Sequence, residues 1–514
     1  MTFNPESIVQ QVQCEFENLL TYVTGPDARS QTAYTMELTL FRRLLALGAA
    51  LLRLFCVTRA ARRPAAPVIA PDGTPLTYHD QRPTTYSSVF GKVRFWRHSF
   101  TAPGQEGICP LDAELSLPAH CYSDLLREWA VYGMTDASYR ESQTVLERIL
   151  GLSLSVQALE TCVTQAEENV TTFYEQPADP TAPVPAGTIL VVQADGQGVP
   201  MVQPPPQTPP VRLGTGQKHG KKKEAVVTGL YTIAPYPRTP QEVVATLLQE
   251  PDRPAPAARP RPEGKELRAT LEGKAVAMRR LVEWVAQCEG PHIPQRVALT
   301  DGAEGLQQQV VTHLPKDTLI LDLIQATESL WNTANALLGE THPQRLAWVR
   351  AYLEPRLAGQ TDAVITALEA EMKDPTCTGT QRQAVRRTVG DYQRNRPYMR
   401  YDEYLARGWP IGTGVIEGAC GHLVKDRMEQ AGMRWTKSGA QAVLDLRAVR
   451  INGHWDAYGL FHRQRQHRGA SAAPESGSGA DAGRRRLQAV VRPAPLPASV
   501  YRFLSSLEGT VTAV

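Results

Sequence analysis

Three carboxylates, each followed directly by glycine, stand far apart in the chain. Asp195 lies in Gln193-Ala194-Asp195-Gly196, Asp301 in Leu299-Thr300-Asp301-Gly302, and Glu417 in Ile416-Glu417-Gly418. Acidic groups gather only where something positive holds them, and two divalent cations do so through hard oxygen ligands, leaving positions for water and phosphate. Such a pair, about 3.5–4 Å apart, activates the attacking oxygen and stabilises the leaving one in an in-line phosphoryl displacement. Mg2+ is the expected ion, with Mn2+ as its substitute, and glycine beside each acid permits close approach of a ligand. Taken singly, Asp-Gly is also an ordinary turn pair, and Glu417 an ordinary first-turn glutamate favoured by the helix dipole. The case for chemistry lies in the combination.

Basic residues suggest the substrate. Arg212, Lys218, Lys221, Lys222 and Lys223 form a run that no acid interrupts before Glu224. A short lysine run is often just a solvated loop, but beside a metal site it is placed to hold phosphates. Arg427, Arg434 and Trp435 follow the glutamate. Trp435 offers either a stacking face for an unpaired base or a ring for the core.

The elements around the acids form a recognisable order. Residues 188–193 are a continuous apolar, partly β-branched run, the mark of a central strand ending at Asp195. Residues 199–202 suit a hairpin return and 225–233 a third strand, with the basic run between them. A helix is expected over 264–287, a strand over 296–300 ending at Asp301, a helix over 304–313 and a strand over 318–323. Residues 326–406 read as mainly helical, and a last helix starts near Val415, carrying Glu417. Three antiparallel strands followed by α/β units is the order of a ribonuclease-H-like mixed sheet flanked by helices, though other α+β domains share it.

Upstream, residues 31–59 show apolar positions at steps of three and four (Leu38, Phe41, Leu45, Leu52, Phe55), an amphipathic helix whose greasiest part, 44–55, reads as buried. Around Gly91 a β-hairpin fits. Residues 138–150, Gly151, and a second helix capped by Ser155 make a helix-turn-helix candidate, equally readable as two packed helices. Proline clusters at 177–185 and 251–262 mark breaks. The expected division is a mainly helical N-terminal region with a short β-hairpin (1–135), the helix-turn-helix candidate (136–176), a catalytic domain in two pieces (187–335 and 405–460), a helical insertion (336–404) and a flexible basic tail (461–514).

At 514 residues the chain exceeds one ordinary core, and its net charge of +3 leaves any nucleic-acid case to local clusters. The eight cysteines contain no C-x-x-C pair, so reduced thiols in a cytoplasmic protein are expected rather than a zinc ribbon or disulfide framework. No secretory signal opens the chain, and no stretch is apolar enough to suggest a membrane partner.

The block Pro410-Ile411-Gly412-Thr413-Gly414-Val415-Ile416-Glu417, with Cys420, Arg427, Gly432 to Trp435, Gly439 to Arg447 and Trp455 to Ala457, resembles DDE insertion-sequence transposases of the ISKra type. Residues 193–200, 216–224, 299–302 and 110–114 resemble the same family's earlier blocks, so the resemblance spans roughly 85–458. It implies that Asp195, Asp301 and Glu417 are the catalytic, metal-holding triad, that helices are inserted before the glutamate, and that the activity is cleavage and strand transfer of insertion-sequence DNA ends. Double-stranded DNA at transposon ends and target is then the partner, bound by a homodimer or higher oligomer in the cytoplasm, at the nucleoid. A ribonuclease-H-fold nuclease without strand transfer, or a non-catalytic DNA-binding descendant, are the alternatives. Two departures stand out. Relatives carry an aspartate followed three residues later by histidine, whereas Asp322 is followed by Gln325; and Cys109 stands alone where relatives have paired cysteines.

Overall fold

A computed structural model describes residues 5–470 apart from 65, 71, 105–106, 119–120, 177–187, 204–221, 251–257 and 431. Its centre is a five-stranded mixed sheet in the order β6-β5-β4-β7-β8, built from β4 (Ile189–Pro200), β5 (Lys222–Ile233), β6 (Glu263–Thr270), β7 (Gln295–Thr300) and β8 (Thr318–Leu321). The first three strands are antiparallel neighbours; β7 and β8 run parallel to β4. The apolar run that opens β4 is buried on both faces, as a central strand flanked by helices requires.

Alternation along β4 assigns its two faces. Leu190 and Val192 pack with Met278, Leu281, Trp284 and Val310 of the helices Lys274–Cys288 and Glu304–His313. Ile189 and Val191 join the larger core built with Leu330, Leu353, Leu368 and Tyr392 of the helices that follow β8. Val199, farther along that second face, belongs to a separate core under the helices Val156–Glu167 and Lys437–Ile451. Asp195 shares this face, between the two cores.

Two strand assignments differ from the sequence reading. Residues 199–200 extend β4 instead of returning as its hairpin partner, so β5 pairs with β4 along its whole length, Ile189 opposite Ile233 through Pro200 opposite Lys222. The third strand is β6, in a stretch whose helix-favouring residues suggested a helix start; the helix begins only at Lys274, after Gly273 at φ +98°. Tertiary pairing overrides local propensity here. The outer edge of β6 is closed by side chains: Gln441 bonds Leu271 N and Ala269 O, and Asn452 bonds both Leu267 N and Leu267 O. An unpaired sheet edge is thereby removed.

The N-terminal part holds the helices Pro5–Thr24 and Ala33–Ala60 and a second sheet of β1 (Val68–Ile69), β2 (Pro75–Ser88) and β3 (Gly91–Thr101). The helix Ala33–Ala60 is not the buried one expected: Leu44, Leu51 and Phe55 are about half exposed, and only Cys56, Val57 and Ala60 are buried. The helix-turn-helix candidate has the caps its sequence called for. Ser138 and Glu141 form a capping box, Gly151 terminates the first helix at φ +67°, and Ser155 caps the second. Residues 336–404, expected as a helical insertion, lie mainly in helices joined by short loops, from the end of Leu323–Leu338 into Tyr401–Ala406. The helix Trp455–Ala470 covers the first ten residues of the stretch read as a tail; residues 471–514 lie outside the described residues. Among the described residues no helix is long and apolar enough to cross a membrane.

Candidate functional site

Parallel pairing sets the acids side by side. Gln193 is opposite Leu299, and Thr300 is opposite Leu321. Extending each register past its last pair aligns Asp195 with Asp301 and Asp301 with Asp322, on the face of β4 that carries Ile189 and Val191. Three carboxylates thus cross three adjacent strands in a row. The sequence reading singled out two of them and passed over Asp322 as a site residue. Its position at the end of β8, one strand over from Asp301, was the available signal.

Glu417 arrives from 116 residues beyond Asp301, on the short helix Gly414–Ala419. Gln193 pins that helix to the central strand: its Oε1 accepts Ile416 N–H at 2.9 Å, while Nε2 donates to Tyr231 OH at 3.2 Å and Gly412 O at 3.4 Å. Gln193 is two residues before Asp195, so both point to the same side of the sheet. The helix continues through a π turn, Cys420–Lys425, into Asp426–Met428. Wide turns of this kind shift the register of side chains and occur frequently at functional sites.

Cys420, the first residue of that turn, reaches the central strand. Its Sγ donates to Asp195 Oδ2 at 3.4 Å. Burial raises the thiol's pKa, and Asp195, Asp301 and Glu417 each add to the rise. Asp195 itself is pushed up by burial, with further repulsion from Asp301 and Glu224 and partial relief from Gly196 N–H and the thiol. Asp301 Oδ1 accepts Ala303 N–H at 3.0 Å, and Glu417 Oε1 accepts Thr413 Oγ1–H at 3.0 Å.

Compared with known proteins, the chain matches no protein-family model and no curated protein.

Among the described residues no group of three or more His, Cys, Asp or Glu is drawn together as a metal-holding cluster. The donor chemistry nevertheless fits a divalent cation. The groups are hard carboxylate oxygens, two on neighbouring strands, and the rise in the Asp195 pKa comes first from burial and then from the repulsion of Asp301 and Glu224, which a cation would offset. Bound at these groups, a cation would compete with the thiol and hydroxyl protons that now occupy them.

The expected phosphate-binding residues separate into three groups. Arg212, Lys218 and Lys221 lie outside the described residues. Lys222 and Lys223 open β5 and are exposed; Lys222 Nζ pairs with Glu429 Oε1 at 3.0 Å, an oxygen that also accepts Gln197 Nε2 at 2.8 Å. Arg434 is exposed, on a segment hydrogen-bonded to the end of β4: Val202 N–H donates to Trp435 O and Trp435 N–H to Pro200 O. It stands beside the point where the basic run departs. Lys425, exposed on the π turn eight residues after Glu417, is a further cation that the sequence reading missed.

Arg427 and Trp435 are corrections. Arg427 is 1% and Trp435 7% exposed, so neither presents a face to DNA. The guanidinium carbon sits 4.8 Å from the Trp435 ring centre, Arg427 Nε donates to Met134 O, and Trp435 Nε1 donates to Met428 O. The pair clamps the π turn to the N-terminal helices. The second helix of the helix-turn-helix candidate is likewise committed to packing, through Leu159, Cys162 and Val163. Its exposed positions include Gln157, Glu160, Thr161 and Thr164, and its sequence has no lysine or arginine with which to meet phosphate.

Proposed function

We propose that this chain is a DDE-class DNA transposase with a ribonuclease-H-like catalytic domain. The observation that carries this reading is that strand register sets Asp195 alongside Asp301 while Gln193 pins the helix of Glu417 to the same strand, with Cys420 beyond that helix bonded to Asp195. The sheet order supports it: three antiparallel strands and two parallel ones, with acids where β4 meets β7, is the arrangement expected of that fold. The helical segment between β8 and the glutamate supports it as well, as does the exposed basic edge formed by Lys222, Lys223, Lys425 and Arg434.

In this reading Asp195, Asp301 and Glu417 would hold two divalent cations, Mg2+ or its substitute Mn2+, which supply Lewis acidity and an activated oxygen nucleophile. The protein's own groups do the rest. Gln193 holds the glutamate helix against β4, and the neighbouring π turn shapes the wall of the site. Exposed lysines and Arg434 fix the DNA backbone, giving register without base specificity. Water attacks a phosphodiester at the element's end, the bond to the 3′ oxygen breaks, and a 3′-hydroxyl is released. That hydroxyl then attacks a target phosphodiester, forming one P–O bond as another breaks. Both steps are the same displacement with a different attacking oxygen, so one site serves both. Joining two ends calls for at least two protomers on DNA.

A labelled, pre-cut element end incubated with target DNA tests the reading. Joined product is expected with Mg2+ or Mn2+, and Asp195→Asn should abolish it while DNA binding persists. Hydrolysis without joining would favour a nuclease. Binding with neither reaction, in the wild-type protein, would favour a non-catalytic DNA-binding protein.

A further inference from the structure

Asp322 is 1% exposed, and both its oxygens are engaged. Oδ1 accepts Gln325 N–H at 3.0 Å and so caps the helix Leu323–Leu338. Oδ2 accepts both the N–H and the Oγ1–H of Thr413. Thr413 Oγ1 is also 3.0 Å from Glu417 Oε1. The backbone adds two links: Asp322 N–H donates to Thr300 O, immediately before Asp301, and Leu323 N–H donates to Ile411 O, both at 2.9 Å.

From these contacts we infer that Asp322 and Thr413 are positioning residues that set the Glu417 carboxylate relative to Asp301. This deepens the proposed function and rests on it. The one proton of the Thr413 hydroxyl lies between two acceptors, Asp322 Oδ2 and Glu417 Oε1, and is shared between them, while the Thr413 N–H to Asp322 fixes where that hydroxyl stands. Asp322 has no oxygen without a donor, which makes it a poor metal ligand and a good anchor. Its row position beside Asp301 and its grip on Thr413 link the strand ends to the loop that precedes the glutamate helix. The replacement of histidine by Gln325 leaves this device intact, because position 325 contributes only its backbone N–H to the cap.

The test is Mn2+ binding to the full-length protein, followed by electron paramagnetic resonance, with the DNA-joining assay run alongside. Thr413→Val removes the hydroxyl at nearly constant shape. It should weaken Mn2+ binding about 10-fold, as loss of an outer partner of a ligand commonly does. Thr413→Ser should restore it, and Thr413→Val should add nothing in a Glu417→Gln background. Asp322→Asn, the second arm, should weaken binding in the same direction. If Glu417→Gln weakens Mn2+ binding while Thr413→Val and Asp322→Asn leave it unchanged, the positioning role is overturned and the proposed function stands. If Glu417→Gln changes nothing either, both fall together.

Discussion

Cys420 Sγ donates to Asp195 Oδ2 at 3.4 Å, across 225 residues of chain. Burial first, and then the negative charges of Asp195, Asp301 and Glu417, disfavour the thiolate and make this thiol a poor nucleophile.

Alkylation of Cys420 should therefore respond to the charge on Asp195. In Asp195→Asn the amide oxygen can still accept the S–H while the negative charge is gone, so the thiol's pKa falls. Iodoacetamide labelling of the Cys420 peptide at pH 8, followed by mass spectrometry, should accelerate about three- to ten-fold. An unchanged rate would mean that the thiol and carboxylate do not meet.

Gln193 is a buried amide whose oxygen is the acceptor for Ile416 N–H. Gln193→Leu leaves that N–H with only its local acceptor, Thr413 O at 2.9 Å, and takes the donor from Tyr231 OH and Gly412 O, at a cost of about 1–3 kcal/mol. Faster hydrogen exchange confined to residues 412–420 is the expected readout, with loss of DNA joining. Exchange that stays slow there would show that something other than Gln193 holds the glutamate helix.

Arg427 and Arg434 are seven residues apart and should behave oppositely. Arg427→Ala should lower stability by about 2–4 kcal/mol in urea melts, through a lost core stack and unpaired carbonyl. Lysine should not restore it, having neither the Nε–H nor the planar face. Arg434→Ala should stay within about 0.5 kcal/mol of wild type. It should instead weaken DNA binding and reduce the salt slope by about 1. Equal effects of the two alanine variants on DNA affinity at fixed stability would return Arg427 to the interface.

Asp445, on the helix Lys437–Ile451, has its carboxyl pushed up to about 7 by burial, against an opposing hydrogen bond from Gln441 and with added repulsion from Glu167. An unfolded aspartate ionises near pH 4. Between roughly pH 4 and 7 the folded chain keeps a proton that the unfolded chain has released, so this group makes stability fall as pH rises through that window. Asp445→Asn should thus raise the Tm by about 2–4 °C at pH 8 and leave it nearly unchanged at pH 4. A gain of equal size at both values would rule out an ionisation penalty as the cause.

Much of this architecture is written in local patterns. The buried run before Asp195, the β-α-β unit ending in Asp301 and Asp322, the capped helices at Ser138 and Ser155, and the helical stretch before Glu417 depend on hydrophobic period and cap residues, which neighbours in sequence supply. Asp301 and Glu417 were legible for the same reason, one just past a strand and the other near a helix start, whereas Asp195 was read as ending a strand that in fact runs on to Pro200. Pairing and burial were not legible. Whether residues 199–200 turn back or continue β4 depends on which strand lies alongside, and β6 is a strand because β5 offers it a ladder.

Arg427 and Trp435 are polar-tipped residues that suit either a DNA face or a core, and only the packing of the N-terminal helices against the π turn chose the core. Asp322 was only the aspartate three residues before Gln325 until the sheet register placed it beside Asp301 and the loop brought Thr413 within reach. Sequence by itself determined which elements form and which residues have the chemistry, because both are local properties. Tertiary structure alone decided which carboxylates share a site and which cations stay in solvent, because those are distances between elements that no local pattern encodes.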